Sequence, residues 1–505
     1  MLYYFFSLNH DLEENKNLFK GLEISKDGEF CKKHQHQYPV IFISFKDVRV
    51  SNFSGAYADI VKLIKRLYRE HIYLLEGDFL LEHEKKLFKV LLNEEAKIAD
   101  IKEAIRQLSE YLARKFNKAP IILIDEYDTP IQEGYLNGYY KEMIELMRSL
   151  LGQALKDNKY LGKAIITGIT RISQESLFSG LNNISVFSLL QEKYGQYFGF
   201  SEEEVLKLLA VSQLSLSVES VKEWYNGYQI GKYVLYNPWS IICCLYDNGK
   251  LTSYWVNTAS NELLHRLLLK SNVNVKQKLE ALIQGQIIEQ AIAENLVFLE
   301  LDSQEEALWS LLLFTGYLKV LSSELHGRRL MAKIAIPNKE VSFVYDKIVE
   351  GWFSNKISMD SYDDFVKSLA RGDVIEFKNY LSRYITQTAS YFDFNKNTPE
   401  QVFHIFILGL VVGLRDDYTI YSNQESGFGR FDVVLFPKNT QEKGILLEFK
   451  KCENPADLLG KAQEALSQIK DKQYKEIFGK HDVKSILAIG LFFCGKQVEM
   501  AYEII

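Results

Sequence analysis

The chain reads as an α/β protein in which a parallel sheet comes first, a helical stretch follows, and a second, separate α/β module closes the sequence. Three patterns predict this. Near-continuous apolar runs (YPVIFISF, APIILIDE, GKAIITG) alternate with amphipathic helical stretches near the start, the texture of a parallel sheet covered on both faces. Beyond Asn183 helical segments with aromatic-rich connectors take over. From Tyr418 strand patterns return. At roughly 100–200 residues per domain, 505 residues divide into about three, placed at 1–200, 201–350 and 351–505.

Each element follows from its periodicity. The run from Tyr38 is a strand rich in β-branched and aromatic residues, and Gly55–Leu75 is an amphipathic helix. Helices over about Glu95–Phe116 and Tyr139–Lys156 lead into the strands Ile121–Ile124 and Ala164–Ile166. The middle carries WYNGYQIG (Trp224–Gly231) and YNPWSI (Tyr236–Ile241). Around Leu308–Val341, helices followed by GYLKVLSS and RRLMAKIAIPN suggest a small winged-helix-like unit. Helix is expected again over Tyr362–Leu414. A hairpin of half-buried strands follows (YTIYSNQESGFGRFDVVLFP, then GILLEFKK), then a helix near Asp457–Lys472 and a last strand, SILAIGLFF.

Composition excludes more than it assigns. Apolar residues at 47% and charged residues at 25% rule out a disordered or collagen-like chain. With 30 Tyr and 31 Phe against 8 Pro, few stiff linkers are expected. The net charge of −6 means that contact with nucleic acid would need a locally basic groove. Cys31, Cys243, Cys244, Cys452 and Cys494 form no CxxC pair, which fits a reducing, cytoplasmic setting without a zinc site. No apolar run reaches the ~18–20 residues of a membrane span, and the opening MLYYFF lacks the basic start and cleavage site of a signal peptide. It looks instead like the last turns of a core helix.

Two constellations carry chemistry. The first is Asp125-Glu126 at the end of Ile121–Ile124. In a parallel sheet the strand carboxyl ends face the ligand crevice, where an Asp can hold Mg²⁺ and a Glu can orient water. Thr167, ending the next strand, and Arg171 beyond it suit a phosphate-sensing role; a capping Thr and a solvated Arg would look the same. Nucleoside triphosphate hydrolysis also needs GxxxxGK[ST], and no Gly-Lys pair of the chain completes it. Gly490–Lys496 has the glycine spacing but ends in Gln497 and lies in an apolar strand.

The second constellation is Asp432, in GRFDVVLF, with Glu448 and Lys450, in ILLEFKK. Alternation puts Glu448 and Lys450 on one strand face and Phe449 on the other, and pairing of the two strands would bring Asp432 alongside. Two carboxylates able to share one Mg²⁺ or Mn²⁺, with a lysine beside the attacking water, are what phosphodiester hydrolysis requires. An exposed salt-bridge ladder would spell the same letters. The apolar flanks, Gly427 and Gly429, and a following helix with Gln468 favour the site. The surplus of Lys and Arg over Asp and Glu across 430–480 suits phosphate contact. Glu400 is a further acidic candidate, and His404 is read as packed.

The segments LFKGLEI, YPVIFISF, IILIDEYDTPI, TGITRISQESLFSGLNN, YFGFSEEEV, WYNGYQIG, YNPWSI, YWVNTASNE, FTGYL, IPNKEV, ESGFGRFD and LLEFKK, in this order, resemble the bacterial AAA-ATPase-like proteins that carry a C-terminal PD-(D/E)XK nuclease domain. The resemblance spans nearly the whole chain. It implies an incomplete P-loop NTPase-like sheet, a helical, winged-helix-like middle and a restriction-endonuclease-like C-terminal domain. Asp125 and Glu126 match the family's acidic pair, and Asp432, Glu448 and Lys450 its nuclease triad. The family's RPRRFGKS-like phosphate loop is not among these residues, so the chain resembles a member shortened at its N-terminus.

The expected function is therefore a Mg²⁺- or Mn²⁺-dependent nuclease acting on DNA or RNA, away from membranes, fused to an AAA-type domain that neither binds ATP tightly nor hydrolyses it. Three alternatives stand beside it: a non-catalytic nucleic-acid- or protein-binding remnant, an active ATPase whose true start lies upstream, and a decayed product whose apolar N-terminal helix would limit solubility.

Overall fold

A computed structural model describes residues 1–8, 12–77, 79–93, 96–156, 158–170, 184–255, 262–283, 285–354, 359–388, 407, 411–414, 417–422, 425–426, 429–430, 432–451, 478, 483–494 and 497–505. They form two compact units. The first comprises 1–188 and 291–315, the second 189–290 and 316–505.

In the first unit β1 (Val40–Ser44), β2 (Ile121–Asp125) and β3 (Lys163–Ile166) form a parallel sheet in that order. β2 is central, and Ile121–Ile124 are buried, whereas β3 at the edge is only half covered. The long helices between strands take their form from apolar stripes. Helix Phe53–Glu70 buries Ala56, Ile60, Ile64 and Leu67 at intervals of three and four and is capped by Asn52, which accepts from the Gly55 N–H at 2.9 Å. Helix Ile98–Phe116 ends where Asn117 turns left-handed. The Tyr68 hydroxyl donates to the Ala104 carbonyl at 2.9 Å, tying the two helices.

In the second unit β4 (Tyr228–Ile230) and β5 (Tyr233–Leu235) make a short hairpin; after β6 (Ile288–Ile292), β7 (Lys319–His326) and β8 (Arg329–Ala335) pair antiparallel. β9 (Tyr418–Ser422), β10 (Glu425–Ser426), β11 (Gly429–Arg430), β12 (Val433–Pro437), β13 (Gly444–Lys451), β14 (Ile486–Cys494) and β15 (Gln497–Ile504) follow. Five of them form one mixed sheet, ordered β15-β14-β13-β12-β9, in which only β13 and β14 run parallel.

Two details differ from expectation. All of β12 is buried rather than half-buried, because β9 and β13 flank it and Phe478, Val483 and Ile486 join its core. The chain also adds β15 after the strand expected to be last. Its letters alternate as a half-exposed edge should, with Val498 and Met500 buried between Gln497, Glu499 and Ala501. The helix expected near Asp457–Lys472 lies outside the described residues.

Four of the sequence motifs meet in one knot of the second unit. Glu340 is fully buried, and its carboxylate accepts from the Ser240 hydroxyl and from the backbone N–H groups of Tyr254 and Trp255, each at 2.7 Å. Asn338 donates to the Asn226 carbonyl at 2.8 Å, and Gly227, at φ +99°, leaves a Cβ only 2.3 Å from the Pro337 carbonyl oxygen. WYNGYQIG, YNPWSI, YW and IPNKEV thus read as the parts of a scaffold.

Candidate functional site

At the carboxyl end of the first sheet, Asp125 is enclosed by hydroxyls. Thr167, just past β3, donates to its Oδ1 at 2.5 Å, and Ser44, ending β1, donates to its Oδ2 at 3.3 Å. Glu126 follows in the left-handed region at φ +49°, a conformation that costs a non-glycine residue energy. Its carboxylate accepts from the Thr129 hydroxyl at 3.2 Å and stands 3.9 Å from the Arg49 guanidinium. The sheet therefore brings Asp125, Glu126 and Thr167 together. Arg171 lies outside the described residues.

Behind them is a clasp that sequence reasoning missed. The carboxylate of buried Asp128 accepts from both the backbone N–H and the hydroxyl of Thr170 at 2.7 Å, and the Tyr127 hydroxyl donates to the Thr170 carbonyl at 2.7 Å. Burial pushes the Asp128 carboxyl above its ordinary range, against the pull of the Thr170 bonds. Gly168 is required here, since a Cβ would lie 2.6 Å from Asp128 Oδ1 and from the Tyr127 ring. The available signal was paired polar ends on adjacent strands, DEYDT and TGIT.

In the second unit the register does the assembling. β12 pairs with β13 from Leu435↔Ile445 to Val433↔Leu447, and one step further sets Asp432 opposite Glu448. Residues so placed have Cβ atoms about 5 Å apart. There Asp432 Oδ2 accepts the backbone N–H of Phe449 at 2.6 Å, which ties the side chain across to β13. Glu448 is 2% exposed, Phe449 is buried on the opposite face, and Lys450 is partly exposed.

The neighbouring strands place small residues along the row of Glu448. Along its row Glu448 pairs with Gly490, and Gly490 with Ala501; along the next, Lys450 pairs with Phe492, and Phe492 with Glu499. Sequence reasoning did not recognise the small pair Gly490 and Ala501. An isolated glycine inside an apolar strand, which marks close approach by something else, was the signal. Glu499 is tied to Lys378 of helix Val374–Thr388. Gly427, Gln468, Glu400 and His404 fall outside the described residues.

These two sheets define a class of protein: a parallel αβ sheet with acidic strand ends, joined to a mixed sheet carrying the D…ExK arrangement. Residues 1–178 match the family model described as predicted AAA-ATPase, and residues 398–503 that of the PD-(D/E)XK nuclease superfamily. An AAA-ATPase-like domain and a PD-(D/E)XK nuclease-superfamily domain are both present. The chain is also similar to an uncharacterised protein in the vnfD 5′ region of Azotobacter chroococcum mcd 1, at 24% identity over 476 residues, covering 92% of this chain and 81% of that protein.

PD-(D/E)XK nucleases generally use divalent metals. Among the described residues no group of three His, Cys, Asp or Glu is placed to hold a metal ion. Asp432 and Glu448 offer two hard oxygen donors from facing positions, which suits Mg²⁺, an ion usually held by one or two carboxylates together with waters and substrate phosphate. Among the described residues no helix is long and apolar enough to cross a membrane.

Proposed function

We propose that the second unit is a metal-dependent phosphodiesterase acting on nucleic acid, with Asp432 and Glu448 as ligands of Mg²⁺ or Mn²⁺ and Lys450 beside the attacking water. The observation that carries this reading is the register that sets Asp432 across from buried Glu448, with Lys450 two residues on along the same face. A bound divalent cation supplies Lewis-acid stabilisation of the scissile phosphate and lowers the pKa of water. The chain's own residues do the rest. The Phe449 N–H fixes the Asp432 carboxylate, burial keeps Glu448 in a medium where attraction to a cation is stronger than in water, and the Lys450 ammonium orients water and offsets charge developing on the phosphate.

The AAA-type domain, in this reading, does not turn over ATP. No GxxxxGK[ST] occurs in the 505 residues, and it is that loop's amides and lysine that supply most of the triphosphate binding. The test is cleavage of single- and double-stranded DNA and RNA with Mg²⁺, with Mn²⁺ and with EDTA. Metal-dependent cleavage lost on Asp432→Ala supports the proposal, and cleavage indifferent to that change overturns the site. Binding that survives EDTA without cleavage would instead favour a non-catalytic module. Micromolar Mg-ATP binding lost on Asp125→Ala would overturn the inactive ATPase.

A further inference from the structure

The turn between Glu192 and Phe200, in the second unit, displays aromatic rings where burial would be expected. Tyr197 is 75% exposed, Phe198 60% and Tyr194 47%, and Val234 of β5 is half exposed. Scattered apolar residues on a surface need no explanation, but three rings within five residues do. The turn is also held rigidly and at a cost. Tyr194 sits in the left-handed region at φ +68°, strain for an aromatic residue. Gly195 and Gly199 lie so close to the β4–β5 hairpin that a Cβ would come 2.9 Å from the Ile230 carbonyl oxygen and 2.8 Å from that of Tyr236. Backbone bonds from Gly231 to Leu189 and between Phe200 and Tyr236 complete the clamp.

Two ammonium groups lie beside the rings, one of them ion-paired. The Lys193 ammonium lies 5.2 Å from the centroid of Tyr194, and that of Lys232 5.5 Å from the centroid of Tyr233. The carboxylate of the turn, Glu192, is paired with Lys232 at 3.2 Å. On the helix that follows, Glu202 pairs with Lys222, Glu203 with Lys207, and Glu204 accepts from Ser201. Rigid exposed π-faces with ammonium groups alongside are the elements of a base-stacking platform, in which rings take bases and cations take phosphates.

We infer that the Tyr194–Phe198 turn, with Lys193 beside it, binds a single strand of nucleic acid. The choice of ligand rests on the nuclease reading of the same unit; the rings, the strain and the charges do not.

The test measures fluorescence anisotropy of a labelled oligothymidylate with the full chain in EDTA, so that cleavage plays no part. Tyr197→Ala and Phe198→Ala should each weaken binding about tenfold, within the range of a lost base stack. Tyr246→Ala, which removes a ring 91% exposed outside the turn, should leave it unchanged. Lys193→Ala should flatten the salt dependence, by about 0.7 in the slope of log K against log salt for a lost phosphate contact on a single strand, which the ring variants should not do. Oligouridylate shows whether RNA is accepted too, and a duplex of the same length should bind less well.

Wild-type affinity in both ring variants, or no binding by the wild type, overturns the platform. So does a concentration-dependent dimer dissolved by Tyr197→Ala, with oligothymidylate binding unaltered, which would assign the turn to a second copy of the chain. Normal binding by the ring variants beside Mg²⁺-dependent cleavage would sink the platform and leave the nuclease standing. Platform-dependent binding without cleavage in any metal would do the reverse.

Discussion

Two glutamates are buried in the same compact unit, in different company. Glu340 is surrounded by donors of its own chain, a hydroxyl and two backbone N–H groups at 2.7 Å. Glu448 is enclosed almost as deeply, and its neighbours along the row of strands are the small residues Gly490 and Ala501. Removing a carboxylate from water costs several kcal/mol. Around Glu340 three donors of the fold offset that cost; at Glu448 the strand pair sets a second carboxylate, Asp432, directly opposite. Burial marks both residues equally. The chemistry of the neighbours separates a scaffold from a proposed site.

The largest expected effect tests the Glu448 side of that comparison. Glu448→Gln and Asp432→Asn should each slow Mg²⁺-dependent cleavage by roughly 10³- to 10⁴-fold, or about 4–5.5 kcal/mol of transition-state stabilisation. Circular dichroism should be unchanged. Asp125→Asn should leave cleavage intact, because its partners Thr167 and Ser44 belong to the other unit's sheet. An equal loss from all three would mean that the chemistry is not confined to the β12–β13 pair.

Next comes Glu340. Glu340→Ala removes a buried acceptor and strands three donors, which should cost about 4 kcal/mol in urea denaturation. Cleavage per folded molecule should not change. If instead activity fell while stability held, the two glutamates would exchange roles.

Much of this was legible in the letters, and what was not has a physical reason. The strand ends at Asp125 and the helices around them follow from local periodicity, which needs no knowledge of partners. Asp432, Glu448 and Lys450 could be named from alternation within two strands. Gly490 and Ala501 could not, because they matter only through a parallel register with a strand some forty residues distant and an antiparallel one beyond it. Asp128 was overlooked beside Asp125 and Glu126 because its importance comes from Thr170, a neighbour in space alone. The motifs WYNGYQIG, YNPWSI and IPNKEV carried the resemblance without a meaning until Asn338 and Glu340 of the last were found to bond to the other two.

The first unit supplies a third kind of company. His71 is buried beside the Tyr73 hydroxyl at 2.9 Å, and burial lowers its pKa from 6.5 to about 4. The folded state therefore holds the imidazole neutral over a range where the unfolded chain protonates it. Its contribution is complete above about pH 6.5 and is lost as the pH falls towards 4, by roughly 3 kcal/mol in all. His71→Phe should flatten that part of the stability profile in pH-resolved urea melts. An unaltered slope would show that the imidazole is not kept neutral by burial.

The smallest effect belongs to the Asp128 clasp and has the opposite sign. Burial raises the Asp128 carboxyl pKa in the folded state despite two hydrogen bonds from Thr170. Its contribution is thus complete at pH values below the ordinary carboxyl value of about 3.9 and declines as the pH rises through the raised value. Asp128→Asn keeps an oxygen for Thr170 and removes the titration, so the stability difference between wild type and variant should shift against the wild type as the pH climbs from about 4. Gly168→Ala reaches the same clasp by steric means. Its Cβ, 2.6 Å from Asp128 Oδ1 and the Tyr127 ring, should cost about 2 kcal/mol at every pH. If Asp128→Asn left the pH profile untouched while Gly168→Ala destabilised, Asp128 would be held as firmly as Glu340, and the company it keeps would count as scaffold.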